Sequence, residues 1–305
     1  MKMYFVGVTT KQSSVMTLFP HWMRILGLDA VIEGVDIALR ADRSEYIEVV
    51  EKIREDSDVL GALVTTHKID LYESARHLFD YLCPYATKFG ELSCISKRDG
   101  MLVGHAKDPI SSGLALEAFL PTGFWDNGGD VFVMGAGGSS IALCSYILSQ
   151  EKLPRKLIVS NRSSERLGNI ERILRSYNVN IDMEFILADK MGANDSVIER
   201  LRPYSLIVNA TGLGKDRPGS PLGDNCIFPI NSLCWDFNYR GDLVFLQQAK
   251  RQKMDRNLHI EDGFVYFLHG WMQVVAEVFH IDISNGKFLE IMNESSILCG
   301  RNQNV

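Results

Sequence analysis

The stretch 131–140, VFVMGAGGSS, constrains the fold of this chain more than any other. An apolar run that stops at a glycine cluster and passes straight into a helical pattern describes a buried strand turning sharply into a helix. Gly135 permits the tight turn, Gly137 lets backbone N–H groups approach a pyrophosphate, and the helix N-terminus adds partial positive charge. Ala136, Gly138 and Ser139 complete that cradle, while Ser140 stands where a G-x-G-x-x-G pattern carries its third glycine. The competing reading is a plain turn. The surroundings favour dinucleotide binding: the spacing predicts strands at 131–134, 157–160, 183–187, 206–209 and 233–237 and helices at 139–149, 165–177 and 196–201. That is the βαβαβ order of a doubly wound sheet.

At 305 residues the chain is about twice an ordinary domain, so a second unit is expected. Ahead of the glycine cluster the pattern predicts strands at 4–8, 30–37 and 59–65 and helices at 13–26, 44–55 and 67–79, with Ser44 as an N-cap. Helical crossovers between those strands predict a parallel α/β arrangement. A helix over 111–120 leads into PTGFWDNGGD, whose turn residues make 121–130 the expected domain boundary. Helices at 243–250, 265–279 and 288–297 close the chain.

Charge narrows the ligand class. Thirty-two Lys and Arg against 38 Asp and Glu give a net charge of −6, and the basic residues are scattered, which argues against nucleic-acid or anionic-membrane partners. The six cysteines form no C-x-x-C pair and read as reduced core thiols. The apolar run at the start is too short for a signal-peptide core, and no later run is long enough for a membrane helix, so a cytoplasmic location is expected. The histidines show neither H-E-x-x-H nor Cys/His ligand spacing, so no metal is expected, and no G-x-S-x-G nucleophile elbow occurs.

The identity of the cofactor is written after the strand at 157–160. An NAD-specific fold usually carries Asp or Glu there for the ribose hydroxyls, whereas this chain reads Asn161-Arg162-Ser163, with Arg166 one turn later. Two arginines can pair a 2′-phosphate through charge-assisted hydrogen bonds, so NADP is preferred; the alternative is a pair of solvated helix-start cations. Asn209 and Thr211 end a later strand, the usual place for contact with the nicotinamide side, or else a simple turn.

These segments, in this order, resemble the shikimate dehydrogenase family of NADP-dependent enzymes: GVTTKQSSVM, VTTHK, GHAKD, MGAGGSS, SNRSSER, LIVNATGLG, WDFNY and EDGFVYFLHGWMQ. The resemblance covers nearly the whole chain. It implies an N-terminal α/β substrate domain over 1–110, completed by 263–305, a Rossmann NADP-binding domain over 111–262, and a cleft between them. It also implies interconversion of a ring ketone and a secondary alcohol with NADP(H), in aromatic amino acid biosynthesis. The family's catalytic lysine and aspartate fall on Lys68, in a V-T-x-P-x-K segment here shortened to VTTHK, and on Asp108, where an N-T-D triplet reads Ala106-Lys107-Asp108. Gly263 is placed with the cofactor and Thr65 with the substrate.

Substrate positions are less faithful. The family's Ser-x-Ser pair falls on Ser13 and Val15, with Ser14 able to substitute by a register shift; its ring-hydroxyl asparagines fall on Leu63, Ser93 and Ala106. Tyr239 matches the family tyrosine, and Gln273 lies about a turn beyond the family glutamine. A site that has lost several hydroxyl-matching amides selects a different ligand, so quinate, aminoshikimate or another polyol stands beside shikimate, as does a non-catalytic NADP(H)-binding regulatory protein. His67 and His105 read equally as proton-transfer groups or as structural histidines. The expected partner is a small polyol or cyclic hydroxy acid, and homodimerisation is left open.

Overall fold

A computed structural model of the chain describes residues 1–215 and 217–301. Residues 302–305, the end of the stretch expected to complete the first domain, lie outside the described residues. Two compact units result, one of Met1–Lys107 with Gly270 onward and one of Asp108–His269.

The first unit is built on a six-stranded sheet of β1 (Lys2–Gly7), β2 (Val31–Asp36), β3 (Val59–Val64), β4 (Tyr81–Leu82), β5 (Cys94–Arg98) and β6 (Met101–His105), in the order β2-β1-β3-β5-β6-β4. Its helices are α1 (Val15–Leu26), α2 (Arg43–Glu55), α3 (Lys68–Ala75) and α4 (Pro84–Phe89). β1, β2 and β3 are parallel, as the helical crossovers predict. A wholly parallel sheet is wrong, however, because β5 runs antiparallel to both β3 and β6. The cause is local: Asp99 and Gly100 both take positive φ, 52° and 78°, which turns the chain back within two residues. The cap of α2 also differs from expectation, since Asp42 rather than Ser44 is the N-cap and its N–H donates to Glu45 Oε1 at 3.3 Å.

The second unit carries β7 (Val131–Met134), β8 (Lys156–Asn161), β9 (Asp182–Leu187), β10 (Leu206–Asn209), β11 (Leu233–Asp236) and β12 (His259–Glu261), with α5 (Asp108–Glu117), α6 (Gly138–Leu148), α7 (Ser164–Arg175), α8 (Ala193–Ile198) and α9 (Val244–Arg256). All its strands are parallel in the order β12-β11-β10-β7-β8-β9. Strand order therefore reverses between β7 and β10, the switch point at which doubly wound sheets bind ligands. The loop at 121–130 lies within this unit rather than at its edge. α5 packs on α6, with Gly113 flat against the Tyr146 ring and the Tyr146 hydroxyl donating to Glu117.

The part of α10 (Phe264–Phe279) from Gly270 onward and α11 (Asn285–Leu298) complete the first unit's core. Trp22 of α1 is fully buried, its ring 6.0 Å from Trp271 of α10, and its Nε1 donates to Ser295 Oγ of α11 at 2.7 Å. Among the described residues no helix is long and apolar enough to cross a membrane.

Candidate functional site

The loop after β7 is shaped by what it must pass. Gly135 adopts φ +113°, and a Cβ there would lie 2.6 Å from the Ala210 carbonyl oxygen, so only glycine makes the turn. Gly137, the N-cap of α6, has an ordinary φ of −92°, and nothing comes within 4 Å of where its Cβ would be. It faces a cavity of about 1250 Å³ in the second unit, and its missing side chain leaves room for a ligand to reach the amides that open α6.

Gly135, Ala136, Gly137, Asn161, Arg162, Arg166 and Thr211 all line this cavity. Arg162 is the first residue after β8, and no carboxylate stands at that strand end. Ser163 caps α7, its Oγ accepting the Arg166 N–H at 3.4 Å, and the Asn161 side chain donates to Ser163 O at 3.2 Å, so the two arginines leave a braced turn. The opposite wall is tied by Ser160 Oγ to Asn194 Oδ1 (2.7 Å) and by Asn194 Nδ2 to Pro221 O (2.9 Å). Lys190 and Arg217 also line the cavity and were not singled out from sequence. They lie in the connections after β9 and β10, where no periodicity marks a position, and loop cations among predicted strand ends were their only signal.

Gly138, Ser139, Asn209 and Gly263 are not among the lining residues. Asn209 is fully buried: its amide donates to Asp236 Oδ2 (3.1 Å) and Leu213 O (3.2 Å), and its Oδ1 accepts from Thr211 N (3.1 Å) and Thr211 Oγ1 (2.7 Å). It therefore shapes the loop that presents Thr211. Gly263 lies where a Cβ would meet the Phe237 carbonyl oxygen at 2.0 Å.

Burial pushes Asp236 up to about 6, against hydrogen bonds from Asn238 and Asn209 that favour the carboxylate. Between the ordinary aspartate range and pH 6 the folded chain holds a proton that the unfolded chain has released, so stability falls as pH rises through that window. The ionised group then costs about 3 kcal/mol at neutral pH. A carbon NMR titration of the Asp236 carboxyl should show a midpoint near 6; a midpoint near 4 would refute the burial argument.

The remaining predicted residues divide between the units. Lys68 opens α3, its carbonyl accepting Leu92 N–H at 3.0 Å, and Thr65 follows β3. Ser14 is the N-cap of α1 with Ser13 just before it, and Gln273 lies on α10. Ser93 is buried and its Oγ accepts the Lys107 N–H at 2.7 Å, which ties the side chain to the backbone ahead of Asp108. Leu63 and Ala106 are buried apolar positions. In the second unit Asp108 opens α5, and the Tyr239 ring lies 4.8 Å from Phe267 and 5.8 Å from Phe264. His67 is structural: fully buried, it donates from Nε2 to Ile37 O at 2.9 Å and accepts the Tyr46 hydroxyl at Nδ1 (3.2 Å).

Comparison with known proteins adds to this geometry. No protein-family model matches the chain. It is 28% identical over 222 residues to the shikimate dehydrogenase (NADP(+)) of Lactococcus lactis subsp. cremoris (strain MG1363), covering 72% of this chain and 73% of the relative. The crystal structure of shikimate dehydrogenase from Aquifex aeolicus matches 96% of each chain with a TM-score of 0.74 at 20% identity. The chain has the shikimate dehydrogenase fold. The same shikimate dehydrogenase fold extends to quinate dehydrogenase from Corynebacterium glutamicum in complex with NAD, which matches with a TM-score of 0.76 at 17% identity over 96% of this chain and 99% of the other.

Proposed function

We propose that this chain is an NADP(H)-dependent oxidoreductase that interconverts a secondary alcohol and a ketone on a shikimate-like polyhydroxylated ring. The observation that carries the reading is the cavity beside β7 and α6, whose glycine cradle leaves space at Gly137 and whose β8 wall ends in Arg162 instead of a carboxylate. Its residues fit a dinucleotide carrying a 2′-phosphate: the amides at the start of α6 suit the pyrophosphate, and Arg162 and Arg166 suit the third phosphate. When bound, NADP+ supplies a hydride acceptor at C4 of its nicotinamide. The family resemblance makes Lys68 and Asp108 the catalytic pair of this reading, with Lys68 taking the proton of the reacting hydroxyl. Relatives of similar sequence named shikimate dehydrogenase (NADP(+)) support both cofactor and reaction.

The ring acid is less constrained than the chemistry. With Leu63 and Ala106 apolar and the Ser93 hydroxyl engaged by Lys107 N–H, the family's amide contacts are replaced, which favours quinate or another cyclic polyol as a second reading. Purified protein mixed with NADP+ and either shikimate or quinate, followed by NADPH absorbance, separates the two. Tight NADPH binding with no turnover on any cyclic hydroxy acid would replace the enzyme by a cofactor-responsive binding protein.

Arg162→Ala is expected to weaken NADP(H) about 10- to 100-fold, the worth of a charge-assisted hydrogen-bond pair, with little change for NAD(H). Fluorescence titrations with both cofactors check this, and an equal loss for the two would defeat the 2′-phosphate role.

A further inference from the structure

The first unit holds a cluster of titratable groups that the proposed reaction does not use. Cys83, between β4 and α4, is fixed by its N–H to Gly104 O at 2.9 Å. Its sulfur accepts the backbone N–H groups of Ala86 and Ala106, each at 3.4 Å, and the His105 imidazole is its neighbour. His105 Nε2 lies 3.3 Å from Glu277 Oε1 and 3.3 Å from Ser96 Oγ. The other Glu277 oxygen takes Lys107 Nζ at 2.6 Å. Thiol, imidazole and carboxylate thus stand in series, the arrangement that activates a sulfur nucleophile.

We propose that Cys83 is a reactive thiolate, activated by His105 and Glu277, and a modification site for hydroperoxides. Two backbone donors on one sulfur, beside an imidazole, form a pocket arranged for negative charge. Burial alone pushes the Cys83 thiol up, but His105 and the two amides outweigh it and hold it below its ordinary value. His105, pulled down by burial, is raised on balance by Cys83 and Glu277, and Glu277 is held well below the carboxylate range chiefly by His105, with Lys107 adding to it. Lys107 and Glu277 are the charged groups of the cluster. The neighbouring thiol of Cys94 on β5 is fully buried and pushed far up, so it stays protonated and inert. Cys83 is only partly buried.

In the reaction the Cys83 thiolate attacks one peroxide oxygen, a sulfur–oxygen bond forms and the oxygen–oxygen bond breaks. Sulfur is oxidised by two electrons to the sulfenic acid and the peroxide is reduced. The departing hydroxide, or alkoxide from an organic hydroperoxide, takes the proton of the His105 imidazolium and leaves as water or alcohol.

Iodoacetamide at pH 7 on the folded, full-length protein, read by peptide mass spectrometry, tests this directly. Cys83 is expected to alkylate about ten-fold faster than the exposed thiol Cys299, whose acidity burial of the sulfur weakens. Equal rates or the reverse order would overturn the proposal. With hydrogen peroxide and then dimedone, the first adduct is expected on Cys83; labelling that begins at another thiol overturns it as well. Glu277→Gln tests the positioning role: the midpoint of the Cys83 rate against pH should move up, and an unmoved midpoint in a variant with parental circular dichroism removes Glu277 from the scheme. The wild-type comparison needs no variant and does not depend on the activity proposed above.

Discussion

Replacing Lys68 by alanine is expected to lower turnover by about 10²- to 10⁴-fold while leaving the NADPH dissociation constant unchanged. The lysine sits in the first turn of α3, where the helix dipole disfavours a cation, so helix stability gives no reason for its presence. Its place is better explained by chemistry, because the alcohol must lose a proton as its hydride departs. The proposed NADPH contacts lie in the second unit's cavity, and Lys68 belongs to the first, so affinity and turnover should separate cleanly. Steady-state assays give kcat, and fluorescence titration gives the dissociation constant. Normal turnover in Lys68→Ala would end the assignment of the catalytic pair.

Two glycine variants should behave in opposite ways. Gly263→Ala is expected to destabilise the protein by about 3 kcal/mol, or about 6–12 °C in melting temperature, because the new Cβ would run into the backbone of Phe237. Those atoms are the Phe237 oxygen at 2.0 Å, carbon at 2.4 Å and Cα at 3.1 Å, and none can swing aside as a side chain would. Gly137→Ala meets nothing within 4 Å and should melt like the parent, yet its methyl group enters the cavity and should weaken NADP(H) by at least about ten-fold. Differential scanning calorimetry and cofactor titration on both variants decide the matter. A Gly263→Ala protein with parental stability but lost cofactor affinity would restore Gly263 to the binding site.

That contrast also shows what the sequence could and could not disclose. The strand–glycine–helix unit at β7 and α6 was legible because one short segment holds the whole pattern, and Arg162 was legible because it abuts a strand end. Gly263 and Asn209 sit in recognisable motifs too, but their partners, Phe237 and Asp236, come from elsewhere in the chain, and only folding shows that both are occupied with internal contacts. The β5–β6 hairpin was missed although Asp99-Gly100 is a strong turn signal. Its strands are short and its neighbours helical, so the crossover pattern dominated. Lys190 and Arg217 lie in irregular loops, and the triad of Cys83, His105 and Glu277 gathers residues from β4–α4, β6 and α10, a proximity no local period encodes.

The burial of Trp22 against Trp271, with its indole N–H on Ser295, has a consequence for how the chain comes to be folded. Synthesis from the N-terminus delivers α1 ahead of the second unit, but the two helices that cover it only after that unit. The second unit, continuous from Asp108 to His269, has every strand of its sheet well before the end. The part made first is therefore the part finished last. Until α10 and α11 arrive, a nascent chain carries a large indole without the two helices that bury it, and that interval is when it most needs a chaperone.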